Sequence, residues 1–100
     1  MPHFADTSKY TPEEFEIWDM LIEHQGETFR TAKGLEFTYT IVGNQLAIDR
    51  KKNPINRGAV NSALKTANEL KVVTGPKKLN VFGASYLYPI FLDLGICFKE

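Results

Sequence analysis

The chain has 100 residues, of which 43% are apolar and 12% aromatic; this is enough for one modest core and excludes a disordered chain. No apolar run approaches the roughly eighteen residues of a membrane span, and the opening MPHFADTSKY has neither the basic nor the apolar segment of a signal peptide. The lone Cys97 excludes an internal disulfide, so a cytoplasmic setting is expected.

The formal net charge is zero but unevenly spread. Residues 1–29 hold seven acids and one base, and the eight bases between Arg50 and Lys78 are interrupted by one acid, Glu69. Such asymmetry suggests a basic surface for a polyanion and an acidic helix elsewhere. The plainer meaning is that the two halves neutralise each other in the fold.

Residues 1–9 read as a flexible tail, and residues 10–100 as a single α+β domain. Thr11-Pro12-Glu13-Glu14 predicts a helix start, with Thr11 as cap, Pro12 at the first position and Glu14 closing a capping box. The helix is expected to run to about Gln25 and to stop at Gly26. Phe15, Trp18, Leu21 and Ile22 are expected in the core, with Ile17 and Met20 broadening the stripe. Its acidic face, residues 12–25, is a candidate surface for a protein partner. Residues 26–34 read as a connection anchored by Phe29.

Residues 35–50 predict a two-stranded antiparallel hairpin, because apolar and polar residues alternate and Gly43-Asn44 supplies a two-residue turn. That loop pairs Ile41 with Leu46 and Tyr39 with Ile48. Arg50, Lys51 and Lys52 follow at the hairpin's end. A central amphipathic helix is then predicted, with Asn53 as cap and Pro54 at its first position. Ile55, Ala59, Val60, Ala63, Leu64, Ala67 and Leu70 form its apolar stripe. Arg57, Asn61, Lys65 and Asn68 lie opposite, and these residue types suit base edges and phosphates. A solvated face on a core helix is the commoner meaning of such a stripe.

Beyond it, residues 72–74 suggest a short strand. Pro76-Lys77-Lys78-Leu79 suggests one helical turn capped by Thr74, with Lys77 and Lys78 placed for phosphate. Residues 81–95 predict a last helix, capped by Ser85, with Pro89 implying either a kink or a start nearer Tyr88. Phe82, Leu87, Ile90, Phe91 and Leu94 are expected in the core, while Tyr86 and Tyr88 are either core-edge residues or platforms for bases. Residues 96–98 suggest an edge strand.

Two resemblances bear on function. Ile55–Leu64 is similar to the recognition helix of lactose-repressor-type helix-turn-helix proteins, but a hairpin precedes it here, so that fold does not transfer. GLEFTYTIVGNQLAIDRKKNPINRGAV, followed by GPKKLNVFGASYLYPIFLDLGI, resembles a group of short, uncharacterised bacterial and phage-associated proteins. Their shared motifs, G-L-x-F-T-Y, R-K-x-x-x-I-x-R and G-P-K-x-L-x-x-F-G-A-S-Y-x-Y-P-I-F, imply no chemistry.

Few reactive groups suggest catalysis. Two histidines and one cysteine make no metal spacing. Glu69-Leu70-Lys71, with Asp49, has the form of a nuclease carboxylate-lysine pair but falls at a helix end. The expectation is a non-catalytic nucleic-acid-binding module, with DNA as the expected ligand, needing no cofactor. Arg50, Lys51, Lys52, Lys77 and Lys78 would sit on phosphates, and Arg57, Asn61, Lys65 and Asn68 would face a groove. The alternative is a protein-interaction or inhibitor module of mobile-element type, directed at a host protein.

Overall fold

The computed structural model describes residues 14–99. The expected tail, and the expected helix start at Thr11 and Pro12, lie outside these residues. What is described is an α+β fold, in which three helices pack with a two-stranded and a three-stranded antiparallel sheet. One cluster of buried apolar side chains joins all of them.

Helix α1 spans Glu14–Glu23, and Gly26, at φ 89°, ends the turn that follows it. The left-handed backbone there suits glycine, as expected. The buried stripe is Ile17, Trp18 and Leu21; Ile22, expected inside, is 42% exposed. Those three positions already fill the face that meets the hairpin and the central helix, so Ile22 is turned outward.

The stretch expected to be a plain connection contains a strand. β1 (Phe29–Arg30) pairs with β2 (Glu36–Phe37), so that Phe29 faces Phe37. Phe29 is buried, as expected, with its ring stacked on Phe37. Two-residue strands have no periodicity, so only the tertiary pairing reveals them.

The hairpin follows expectation. β3 (Tyr39–Val42) and β4 (Gln45–Ile48) place Tyr39 opposite Ile48 and Ile41 opposite Leu46. Burying Tyr39, Leu46 and Ile48 on one face fixes this register, because a one-residue slip would expose them all. The outer edge of β3 is covered by the end of α1, where the Gly26 N–H donates to the Tyr39 carbonyl and the Ile41 N–H to Gln25 Oε1. The Tyr39 hydroxyl donates to the Leu21 carbonyl at 2.6 Å, locking helix to sheet. Burial first, then the nearby Glu27 carboxylate, raises the Tyr39 phenol well above its ordinary pKa, so it stays a donor.

The central helix starts later than expected. Ile55 and Asn56 form β5, which pairs with β4 through Leu46–Ile55 and Gln45–Asn56. Asn56, rather than Asn53, caps α2 (Arg57–Leu70) by accepting from the Ala59 N–H. Both asparagines are good caps; full burial of Ile55 beside Leu46 decides between them. α2 buries Val60, Ala63, Leu64 and Ala67. Leu70, expected on the same stripe, is 47% exposed.

After α2, Val72 bridges in parallel to Phe98, so the expected short strand and edge strand meet each other. Pro76–Leu79 is a 3₁₀ turn, preceded by Gly75 with no side-chain cap, so Thr74 does not cap it. Helix α3 spans Ala84–Asp93. Its N-cap is Gly83 in the left-handed region, not Ser85. Pro89 is accommodated inside this helix and buried, with Leu87, Tyr88, Ile90 and Phe91. Ile96 folds back, donating its N–H to the Phe91 carbonyl.

Candidate nucleic-acid interface

The turn after β4 carries Arg50, Lys51 and Lys52, and the 3₁₀ turn carries Lys77 and Lys78. Among the described residues, none of these five meets a carboxylate within ion-pair distance. The Arg50 Nε donates to the Glu36 carbonyl across the junction of β2 and β3. This fixes the direction in which the turn leaves the sheet. Lys52 is exposed.

Lys51 lies with its ammonium 3.8 Å from the centroid of the Phe82 ring. Phe82, expected in the core, is 53% exposed. It borders an open groove of about 840 Å³ together with Lys33 and Lys77. The hairpin end thus touches the exposed Phe82 ring, and the 3₁₀ turn lines the groove which that ring borders. The ammonium is attracted by the ring's negative face, a contact worth about 0.5–1 kcal/mol at an exposed site. The approach is set by Gly83, whose missing side chain lets the start of α3 lie against Ile55 of β5.

The α2 residues lie in different surroundings. The Arg57 guanidinium carbon sits 4.9 Å from the Trp18 ring centroid, and its Nη1 donates to Asn44 Oδ1 at 3.3 Å. The Arg57 N–H also donates to the Asn44 carbonyl. This arginine thus clamps α1 and the hairpin turn to the start of α2. Asn61 is half-buried, and its Oδ1 is buried without a hydrogen-bond partner among the described residues. Asn68 is also half-buried, and only Lys65 of the four is exposed.

Replacing Arg57 by alanine is accordingly expected to destabilise the fold by about 1–2 kcal/mol, through loss of the ring contact and the hydrogen bond. Urea unfolding checks this. An unchanged midpoint would show that the guanidinium carries no structural weight.

Of the two tyrosines weighed as stacking platforms, Tyr88 is a core residue. It is 4% exposed, and its hydroxyl donates to the Val73 carbonyl at 2.6 Å. Tyr86 is half-buried, packs edge-on against Phe37 and lines the neighbouring groove.

The fold adds cations that sequence reasoning missed. Lys33 stands in the turn between β1 and β2, and Arg30 and Lys99 line a third groove. Arg30 shares its charge with Glu36 at 2.7 Å. Arg30 and Lys33 lie three residues apart and Lys99 is distant from both, and no basic cluster marks them.

Two of the reactive groups have definite structural surroundings. Asp49 accepts from the Thr38 N–H at 3.0 Å, so it serves the hairpin. Cys97 is buried, and that burial pushes its thiol up to about 11, leaving little thiolate near neutral pH. Among the described residues, no three His, Cys, Asp or Glu side chains gather as a metal-binding group. No described helix is long and apolar enough to cross a membrane.

No protein-family model, curated protein or solved structure matches this chain.

Proposed function

We propose that the domain is a non-catalytic nucleic-acid-binding module. The observation that carries this reading is Lys51 on the exposed Phe82 ring, which borders a groove lined by Lys33 and Lys77 and, among the described residues, by no carboxylate. Cations without acidic neighbours keep their full attraction for phosphate, and an exposed ring beside them offers a face or edge to a base. Arg50, Lys52 and Lys78 extend the positive surface along the two adjoining turns. In this reading Arg57 supports the fold rather than touching the ligand.

The test is fluorescence anisotropy with labelled single-stranded and duplex oligonucleotides at low and moderate salt. The affinity is expected to fall as a power of salt concentration, by about 0.7 log units per decade for each single-strand phosphate contact and about 0.9 for each duplex contact. No binding of either probe at low salt would end the proposal.

A second reading is favoured by the outer face of α1, where Ile22 is exposed beside the exposed Asp19 and Glu23. An apolar residue flanked by acids suits a protein partner with a basic rim, the mobile-element type of interaction. It predicts a protein complex that loses affinity when Ile22 is changed to aspartate and no affinity for oligonucleotides.

A further inference from the structure

We infer that the strand held at the Phe82 surface is single, lying in a track of three adjoining grooves, with Phe82 as a platform for one base and Lys33 and Lys77 on its phosphates. The inference rests on the nucleic-acid reading above and adds the form of the ligand and the path it takes.

Three concavities of about 840, 240 and 310 Å³ run side by side over the turn between β1 and β2, the 3₁₀ turn and the start of α3. The first two share Lys33, Pro76 and Ser85; the last two share Thr31, Ala32 and Pro76. They therefore adjoin one another through shared walls. Cations recur along them, with Lys77 and Lys33 at one end and Lys99 at the other, where Arg30 is already paired with Glu36. Among the described residues, no aspartate or glutamate lines any of the three. A chain bearing a negative charge at every unit matches that spread; a single small anion would use only one part of it.

The shape separates a single strand from a duplex. Proteins that read duplex DNA insert a projecting helix or ribbon into a groove about 12 Å wide. Here the helix with the suitable residues is drawn inward, since Arg57 is laid on Trp18. The basic surface is instead concave, and a concave basic path with exposed aromatics accepts an unpaired chain whose bases are free to stack. With Lys51 on one side of the Phe82 ring, the 53% exposure of that residue leaves ring surface open to a base.

The experiment uses the full chain, a labelled oligothymidylate of about twenty nucleotides and a duplex of the same length. The single strand is expected to bind at least about tenfold more tightly. Phe82→Ala should weaken single-strand binding by about tenfold with an unchanged salt slope, because stacking releases no counterions. Phe82→Trp should retain the affinity, which separates loss of the platform from general damage. Lys33→Ala and Lys77→Ala should each lower the salt slope by about 0.7, while Lys65→Ala on α2 should leave it unchanged.

Equal or tighter duplex binding would overturn the single-strand assignment and leave the nucleic-acid reading standing. So would binding unaffected at Phe82, Lys33 and Lys77 but weakened at Lys65. Failure of the wild-type chain to bind either probe would remove both.

Discussion

Replacing Gly83 with alanine is expected to cost the fold about 3 kcal/mol and to lower its melting temperature by about 15 °C. Two effects combine. At φ 84°, an alanine would sit in the left-handed region, where its Cβ crowds the backbone. That Cβ would also lie 2.4 Å from Ile55 Cδ1 and 2.6 Å from its Cγ1. Ile55 is fully buried, so its side chain has nowhere to withdraw without moving β5. A thermal melt followed by circular dichroism reads the effect. A fall of less than about 3 °C, under 1 kcal/mol on the same scale, would show that strand and helix start separate easily.

The second large effect is expected at the other side of that contact. Ile55→Ala removes a fully buried side chain and should cost about 3 kcal/mol, from lost burial and the cavity left behind. The pair should not be additive. Alanine at 55 removes the atoms that clash with alanine at 83, so the double variant should be more stable than the two single costs imply by at least about 1 kcal/mol. Denaturant titration of the four proteins measures this coupling. Strict additivity would mean that the cost at Gly83 is one of backbone conformation alone.

The parts legible in the sequence were those fixed by local chemistry. Alternation through residues 35–42 and the Gly43-Asn44 turn set the hairpin and its register, and no distant residue was needed to choose among alternatives. The start of α2 was ambiguous because Asn53-Pro54 and Asn56 are both good local starts. Pairing of Ile55 with Leu46, a contact across the sheet, resolved it. Phe82 shows the limit most clearly. An aromatic residue in an apolar run is ordinarily core, and its exposure follows from the left-handed turn at Gly83 beside it. For the candidate site, Lys51 and Lys77 were legible as cations, but the contact of Lys51 with Phe82 was not. Arg57 looked like a ligand-facing residue from its place on the polar stripe. Its partner Trp18 belongs to another helix, where no helical period of α2 could reveal it.

One strand serves both sheets. β2 and β3 are separated by Thr38 alone, and Thr38 exchanges hydrogen bonds with Asp49 at the junction, its N–H donating to Oδ1 and its carbonyl accepting the Asp49 N–H. Phe37 and Tyr39, on either side, are both buried, so the alternation of the strand passes through the junction without a break. Neither sheet can then change register alone. The hairpin that carries Lys33 is bound into the same cooperative unit as the rest of the core, and the lysine's position is inherited from the unfolding equilibrium of the whole domain. In the nucleic-acid reading, such a wall does not need to be ordered by the ligand, so little backbone entropy would be lost there on binding.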